Sequence, residues 1–306
     1  LILAWGAFTA GVLCGGWWWI FELFSHYVPY YAAGAALALG WFLAVRRWRW
    51  AACAAVLLVF NGALIVVWYA PRGGTLPEDA PSFTLLQWNV NQGNPDQQAA
   101  LRFLLERDPD VICINEASPR WNETWRALEA KYPYHLVEAR SDCFGIAVFS
   151  RLPLENAGIV FEDAFGVPAV SATVRLSGNA IRLLALHTLP PVGPKLAYTR
   201  NRQLDATAAW ANAENTPCIV AGDLNVSMWS PVYRRFMARA GLANARRGFG
   251  VVPTWRSNGH GFLYIPIDHI LLGDAVAAVS LDTFPPHGSD HAPLMSAIVL
   301  LPTRKE

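Results

Sequence analysis

The first 70 residues constrain this chain more than any other stretch, because they are almost entirely apolar or aromatic and carry only Glu22, Arg46, Arg47 and Arg49 as charges. Three runs, residues 2–24, 28–45 and 51–69, each approach the ~20 residues that a helix needs to cross a hydrocarbon core. A cleavable signal peptide is a single short apolar stretch, so three successive runs predict a retained anchor of three transmembrane helices, with a buried helical hairpin as the alternative. Loops that stay in the cytoplasm collect Lys and Arg. The loop holding Arg46, Arg47 and Arg49 is therefore expected inside, and the third span is expected to carry everything after residue 70 out of the cytoplasm. Trp17, Trp18, Trp19, Tyr30, Tyr31, Trp68 and Tyr69 fall near the ends of these runs, where an interfacial aromatic belt belongs. The expected location is a multi-pass membrane protein with an extracytoplasmic soluble domain. The chain opens at Leu1 rather than Met, so preceding residues are also expected.

Residues 71–82 (PRGGTLPEDAPS) lack apolar periodicity and read as a linker. The rest divides into a soluble domain at 83–301 and a tail at 302–306. Removing the anchor's three arginines and one glutamate from the chain's 24 basic and 23 acidic residues leaves the remainder balanced, which is not the charge footprint of a nucleic-acid binder. The five cysteines show neither zinc spacing nor a disulfide framework, so free thiols are expected.

From Phe83 onward, short β-rich runs alternate with amphipathic helical ones, which predicts an α/β domain. Strands are expected at 83–89, 110–115, 145–150, 169–176, 180–186, 218–221, 268–272 and 292–300, and helices near 121–131, 200–213 and 232–240. Another helix is expected after Asn94 as N-cap, with Pro95 first and Gln97 completing a capping box. The Ser177-Gly178-Asn179 turn implies a hairpin, so the sheets are mixed.

Polar residues recur at the carboxyl ends of these strands: Asn89 and Asn91, Glu116, His187, Asp223 and Asn225, Asp268, then Asp290 and His291. Singly, each reads equally well as a cap or a turn residue. As an ordered set, from QWN at 87–89 through INEAS, LALH and GDLN to SDH at 289–291, they resemble the endonuclease/exonuclease/phosphatase superfamily with its DNase I-like fold, over essentially the whole soluble domain. The resemblance implies a four-layer α/β sandwich, two mixed β-sheets face to face with helices outside, and a metal-dependent hydrolase of phosphodiester or phosphomonoester bonds. It implies Mg²⁺, with Mn²⁺ as a substitute, held by Glu116 with Asn89 and Asp290, Asp290 being read as a ligand of metal or water. Asp223 and Asn225 would position the attacking water and the phosphate. Asp268 would orient His291, the general base or phosphate-contacting acid/base residue. His187 would stand on the leaving-group side.

The substrate is open between phospholipid, nucleic acid and a small phosphoester, with the bilayer as the standing partner and no obligate protein partner. A membrane scaffold that has lost activity is the alternative from another class. Asn91 is read as a turn residue, His269 as structural, Arg202 and Gln203 as structural support, and Trp255 as packing that could reach the cleft. Arg234, Arg235, Arg239, Arg246 and Arg247 are read as a solvated helix face, with contact to an anionic substrate as the alternative.

Overall fold

The computed structural model describes residues 2–71, 77, 79–161, 165–256 and 262–302. Half of the expected linker (72–76 and 78) and most of the tail (303–306) lie outside the described residues.

The N-terminal region departs from three spans. Its first run splits into α1 (Ile2–Cys14) and α2 (Trp19–Phe24), followed by a 3-10 turn (Ser25–Tyr27), α3 (Val28–Ala44) and α4 (Trp48–Val66). Gly15 and Gly16 follow the last helical residue of α1, and a Cβ at Gly15 would press on the backbone of Glu22 and the ring of Pro231. The turn is thus held open for the close return of α2, and α1, with 13 residues, spans ~20 Å against the ~30 Å hydrocarbon core. Among the described residues two helices remain long and apolar enough to cross a membrane, 19–44, which includes α3, and α4.

The soluble part alternates strands and helices: β1 (Ser82–Asn89), α5 (Gln97–Arg107), β2 (Val111–Asn115), α6 (Asn122–Glu129), β3 (Tyr134–Glu138), β4 (Ile146–Ser150), β5 (Leu154–Phe161), β6 (Pro168–Leu176), β7 (Asn179–His187), α7 (Pro194–Ala211), β8 (Cys218–Asp223) and α8 (Pro231–Ala240). After these come the short β9 (Ala243–Asn244), β10 (Trp255–Arg256) and β11 (Tyr264–Ile265), then β12 (Asp268–Leu272), β13 (Val276–Thr283) and β14 (Leu294–Leu300). One six-stranded sheet runs β13-β14-β1-β2-β4-β3 and the other β5-β6-β7-β8-β12-β9. Each contains one parallel pair, β1 with β2 and β7 with β8, joined by a helical crossover, while the other pairs are antiparallel.

Alternation with period two separates the layers. Leu85, Val111 and Val148 meet Leu183, Ile219 and Ile270 between the sheets. Leu86, Trp88, Ile112 and Ile114 point away, into α5 and α6. Leu184, Val220 and Leu271 point into α7 and α8, where Val12, Val28 and Tyr31 of the N-terminal helices join the same cluster. The result is an α/β sandwich of two mixed sheets with helices outside.

Several local expectations change. The cap of α5 is Asp96, whose Oδ1 accepts from the Ala99 amide at 2.9 Å, while Asn94 donates to the carbonyls of Val90 and His287. Helix α7 begins six residues early because Pro194 supplies a preset φ at its first position. Strands β3, β5 and β13 went unread because their exposed or interrupted faces blur the alternation. At the β6–β7 hairpin Ser177 and Gly178 both take positive φ, 49° and 82°, as a two-residue turn of the I′ kind requires. No disulfide joins the five cysteines, all of which are free thiols.

Candidate active site

The carboxyl ends of the two parallel pairs face each other across the sandwich at one end. In register, Asn89 lies beside Asn115, His187 beside Asp223, and Asp223 beside Asp268. His291 enters from the segment before β14, bridged to Trp255. A cavity of about 370 Å³ opens here, lined by Asn89, Glu116, His187, Asp223, Asn225, Asp290 and His291. Asp268 is fully buried behind His291, to whose Nδ1 its Oδ2 is hydrogen-bonded at 2.8 Å.

Two residues that the sequence did not single out bind the sheets together. Gln87 Nε2 donates to Asn115 Oδ1 at 3.0 Å and to Asp268 Oδ1 at 3.1 Å. Asn115 Oδ1 also accepts from the Asp223 amide at 2.9 Å, and its Nδ2 donates to the Leu186 carbonyl at 3.0 Å. Both are buried, and their polar side chains in otherwise apolar strands were the available signal. At Gly222 a Cβ would collide with the Leu186 carbonyl oxygen, so the residue before Asp223 is glycine because β7 passes against it.

Asp223 is the hub. Its Oδ1 accepts from the Asn225 amide at 2.9 Å; its Oδ2 receives Asn89 Nδ2 at 3.3 Å and stands 3.5 Å from His187 Nε2 and 3.7 Å from His291 Nε2. Burial, reinforced by the Asp268 charge, pushes its carboxyl up to about 7. For His291 burial opposes the charged form, but Asp268 and Asp223 outweigh it and raise the imidazole to about 10. Burial likewise opposes ionisation of Asp268, yet the His291 charge and its hydrogen bond hold that carboxyl below the usual range. His187 is lowered by burial, against the Glu116 charge, which acts the other way.

Glu116 and Asn89 continue the lining beside Asp223. Glu116 Oε1 accepts from Asn89 Nδ2 at 3.1 Å and Oε2 from the Gln92 amide at 2.9 Å. Glu116, Asn91 and Asn225 adopt φ of 62°, 57° and 48°, so three non-glycine residues in the sparsely occupied left-handed region gather at this one place. Asn91 is a turn residue that also donates to Asp290 Oδ1 at 2.8 Å, and Trp255 Nε1 donates to Asp290 Oδ2 at 3.0 Å. Asp290 is thus clamped by two neighbours. The ligand atoms of Asp223, Asp268 and His291 lie within 4.8 Å of one another and could hold a metal ion. Glu116 and Asn89 offer oxygen donors, and a carboxylate oxygen with one partner keeps a second lone pair, so this pair also fits a hard divalent cation.

His269, one residue from Asp268, points away from the cavity. Its Nε2 hydrogen-bonds the Val226 carbonyl at 2.8 Å, and its Nδ1 accepts from Asn244 at 3.0 Å and Arg246 at 3.2 Å. Arg246 corrects the reading of a solvated basic face: it lies beyond α8 and is fully buried, its guanidinium on the carbonyls of Val251 and Val252. Gln203 is structural, accepting from the Leu189 amide at 2.8 Å. The buried arginine of α7 near the site is Arg200, not Arg202: Nη1 donates to the Asn225 carbonyl at 2.8 Å and Nη2 to Glu22 Oε2 at 2.5 Å.

The sequence profile of the Endonuclease/Exonuclease/phosphatase family matches residues 86–291. No curated protein matches the chain. Among solved structures, the endonuclease/exonuclease/phosphatase from Beutenbergia cavernae superposes with a TM-score of 0.59 at 19% identity, covering 72% of each chain. D. rerio TDP2 complexed with single strand DNA product gives 0.61 at 16% identity over 71% of this chain and 98% of the other. Sphingomyelinase C from Streptomyces griseocarneus gives 0.55 at 18% identity over 71% and 99%. At such identities the structural likeness speaks for the fold alone.

Proposed function

The chain belongs to the Endonuclease/Exonuclease/phosphatase family, and from that membership we propose a membrane-anchored, divalent-metal-dependent hydrolase of phosphoester bonds. The observation that carries this reading is the buried Asp268–His291–Asp223 series, whose His291 and Asp223 share one cavity with Asn89 and Glu116.

Mg²⁺, or Mn²⁺ in its place, held by Glu116 with Asn89, would neutralise charge on the phosphoryl oxygens as a Lewis acid. Asp223, raised to about 7, is the group suited to take the proton of the attacking water near neutral pH. His291, raised to about 10, keeps its proton and serves as a donor to the phosphoryl oxygens rather than as the base. Asp268 fixes the ring through Nδ1. The Asn225 side chain, held by the Thr188 carbonyl at 2.8 Å, has a second amide hydrogen for the phosphate, and neutral His187 stands ready on the leaving-group side.

The proposed anchor is the α3–α4 hairpin, with residues 1–70 as the membrane region, 71–82 as the linker and 83–301 as the catalytic domain. Arg46, Arg47 and Arg49 in its loop support a cytoplasmic turn. Both ends of a two-span hairpin emerge on one side, so the catalytic domain still lies outside the cytoplasm. A sphingomyelinase and a DNA-bound TDP2 among the structural neighbours support phospholipid and nucleic acid as substrate classes.

The full chain in detergent, offered a phosphodiester, a phosphomonoester and DNA with Mg²⁺, Mn²⁺ or a chelator, tests the reading. Metal-dependent turnover abolished by Glu116→Gln is expected. Turnover that survives chelation or Glu116→Gln would remove the metal role, and inertness toward all three substrates would favour the scaffold.

A further inference from the structure

The N-terminal region does not only tether the site; it builds one of its walls. Leu23 and Tyr27 line the same cavity as Asp223 and His291. They are fixed there by buried polar contacts: Glu22 takes Arg200 on Oε2 and Ser230 Oγ on Oε1 at 2.8 Å, and His26 Nδ1 meets Ser227 Oγ at 3.1 Å. The same lining includes Pro190, Val192 and Ile265, with Val192 69% exposed. One cavity thus joins charged and amide groups to a set of apolar side chains.

The position of these apolar side chains relative to a bilayer follows from chain connectivity. Tyr27 immediately precedes α3, whose 17 residues make up most of the apolar stretch 19–44 that is long enough to span, so the wall it forms adjoins the first turn of α3. Tyr30, in the first turn of α3, is hydrogen-bonded to the carbonyls of Phe262 at 2.9 Å and Tyr264 at 3.1 Å, tying the segment that leads to the lining residue Ile265 to the start of α3. Phe262 is 72% exposed there. A large ring left in water beside an apolar helix end has the interfacial membrane region as its natural environment.

We propose that Leu23, Tyr27 and Val192 form a subsite for the hydrocarbon part of a membrane-resident phosphoester, so that the substrate class is an amphiphilic lipid phosphoester taken from the leaflet in which α3 starts. This rests on the phosphoesterase reading and names its substrate. The headgroup phosphorus reaches Asp223 and His291 while the chain stays against the apolar side chains. A nucleic acid would gain nothing from these side chains and would place phosphates against them.

The test uses the full chain in detergent with p-nitrophenyl phosphodiesters whose second alcohol is methyl, butyl or hexyl. Each methylene held in an apolar subsite raises kcat/KM by up to about fourfold, so the hexyl-to-methyl ratio is expected to exceed tenfold. Leu23→Asn and, at an exposed position of the same lining, Val192→Asn are each expected to flatten that ratio, which cancels partition of the esters into detergent. A flat ratio in the parent chain, or one unchanged in both variants while metal-dependent methyl-ester hydrolysis persists, overturns the subsite and leaves the phosphoesterase standing. A single-stranded oligonucleotide cleaved with higher kcat/KM than the hexyl ester also overturns it. Absence of Glu116-dependent hydrolysis of every ester removes the phosphoesterase reading, and the subsite with it.

Discussion

On α3 and α4 the large apolar side chains face outward, Leu37 77% exposed, Val56 68% and Val59 71%, whereas Leu85, Ile112, Leu183 and Val220 in the sheets are fully enclosed. Similar residues therefore serve two environments. In the sandwich, apolar faces find each other, and polar groups such as Gln87, Asn115 and Asp223 are buried only where hydrogen bonds meet them. In the hairpin these outward side chains stay exposed among the described residues, and under the proposed anchor a bilayer would cover them. The boundary between the two regimes is marked by Glu22, an acid in an apolar segment that is buried only because Arg200 and Ser230 of the sandwich receive it.

The largest effect expected on the sandwich side of this comparison is His291→Ala. Removing one acid-base or charge-stabilising group costs about 10²–10⁴-fold in kcat, read in steady-state assays with membrane association retained; near-normal turnover would break the assigned role.

At the boundary, Glu22→Ala leaves Arg200 buried without its partner and costs about 3–5 kcal/mol. The readout is melting of the detergent-solubilised chain, and an unchanged melting temperature would mean that the two regions are energetically independent. In the hairpin, Val56→Lys puts a charge near mid-span at a cost of about 2.5–3.5 kcal/mol on an insertion scale. Carbonate extraction should then release part of the protein, and complete retention would count against α4 as a span.

A smaller effect concerns pH. Burial, and secondarily Arg246, lowers His269 to about 3, so it stays neutral in the fold while the unfolded chain takes up a proton below about pH 6.5. Stability contributed by His269 is whole above that pH and falls by about 1.4 kcal/mol per unit as pH drops from 6.5 toward 3. His269→Gln should shallow the decline of melting temperature between pH 6.5 and 5, and an identical slope would show that the proton uptake lies elsewhere. The smallest effect belongs to the exposed pair Arg239–Asp205, 2.6 Å apart. Arg239→Ala should cost under about 1 kcal/mol, and a larger loss in denaturant unfolding would show that the surface of α8 matters more than its exposure suggests.

The sequence by itself determined the alternation of strands and helices, the apolar N-terminus, and the order in which Asn89, Glu116, His187, Asp223, Asn225, Asp268, Asp290 and His291 arrive at strand ends. Those follow from local periodicity and residue chemistry, which a linear reading sees. Only the tertiary structure decided that α1 folds back instead of spanning, that Gln87 and Asn115 join the two sheets, and that Glu22 meets Arg200, 178 positions away. It also separated His269 from His291: both are buried histidines beside acidic neighbours, yet one is pressed to about 3 and the other raised to about 10. The physical reason is that burial opposes charge on both rings, and the fold then adds an arginine beside His269 and two carboxylates beside His291, neighbours of which sequence separation carries no record.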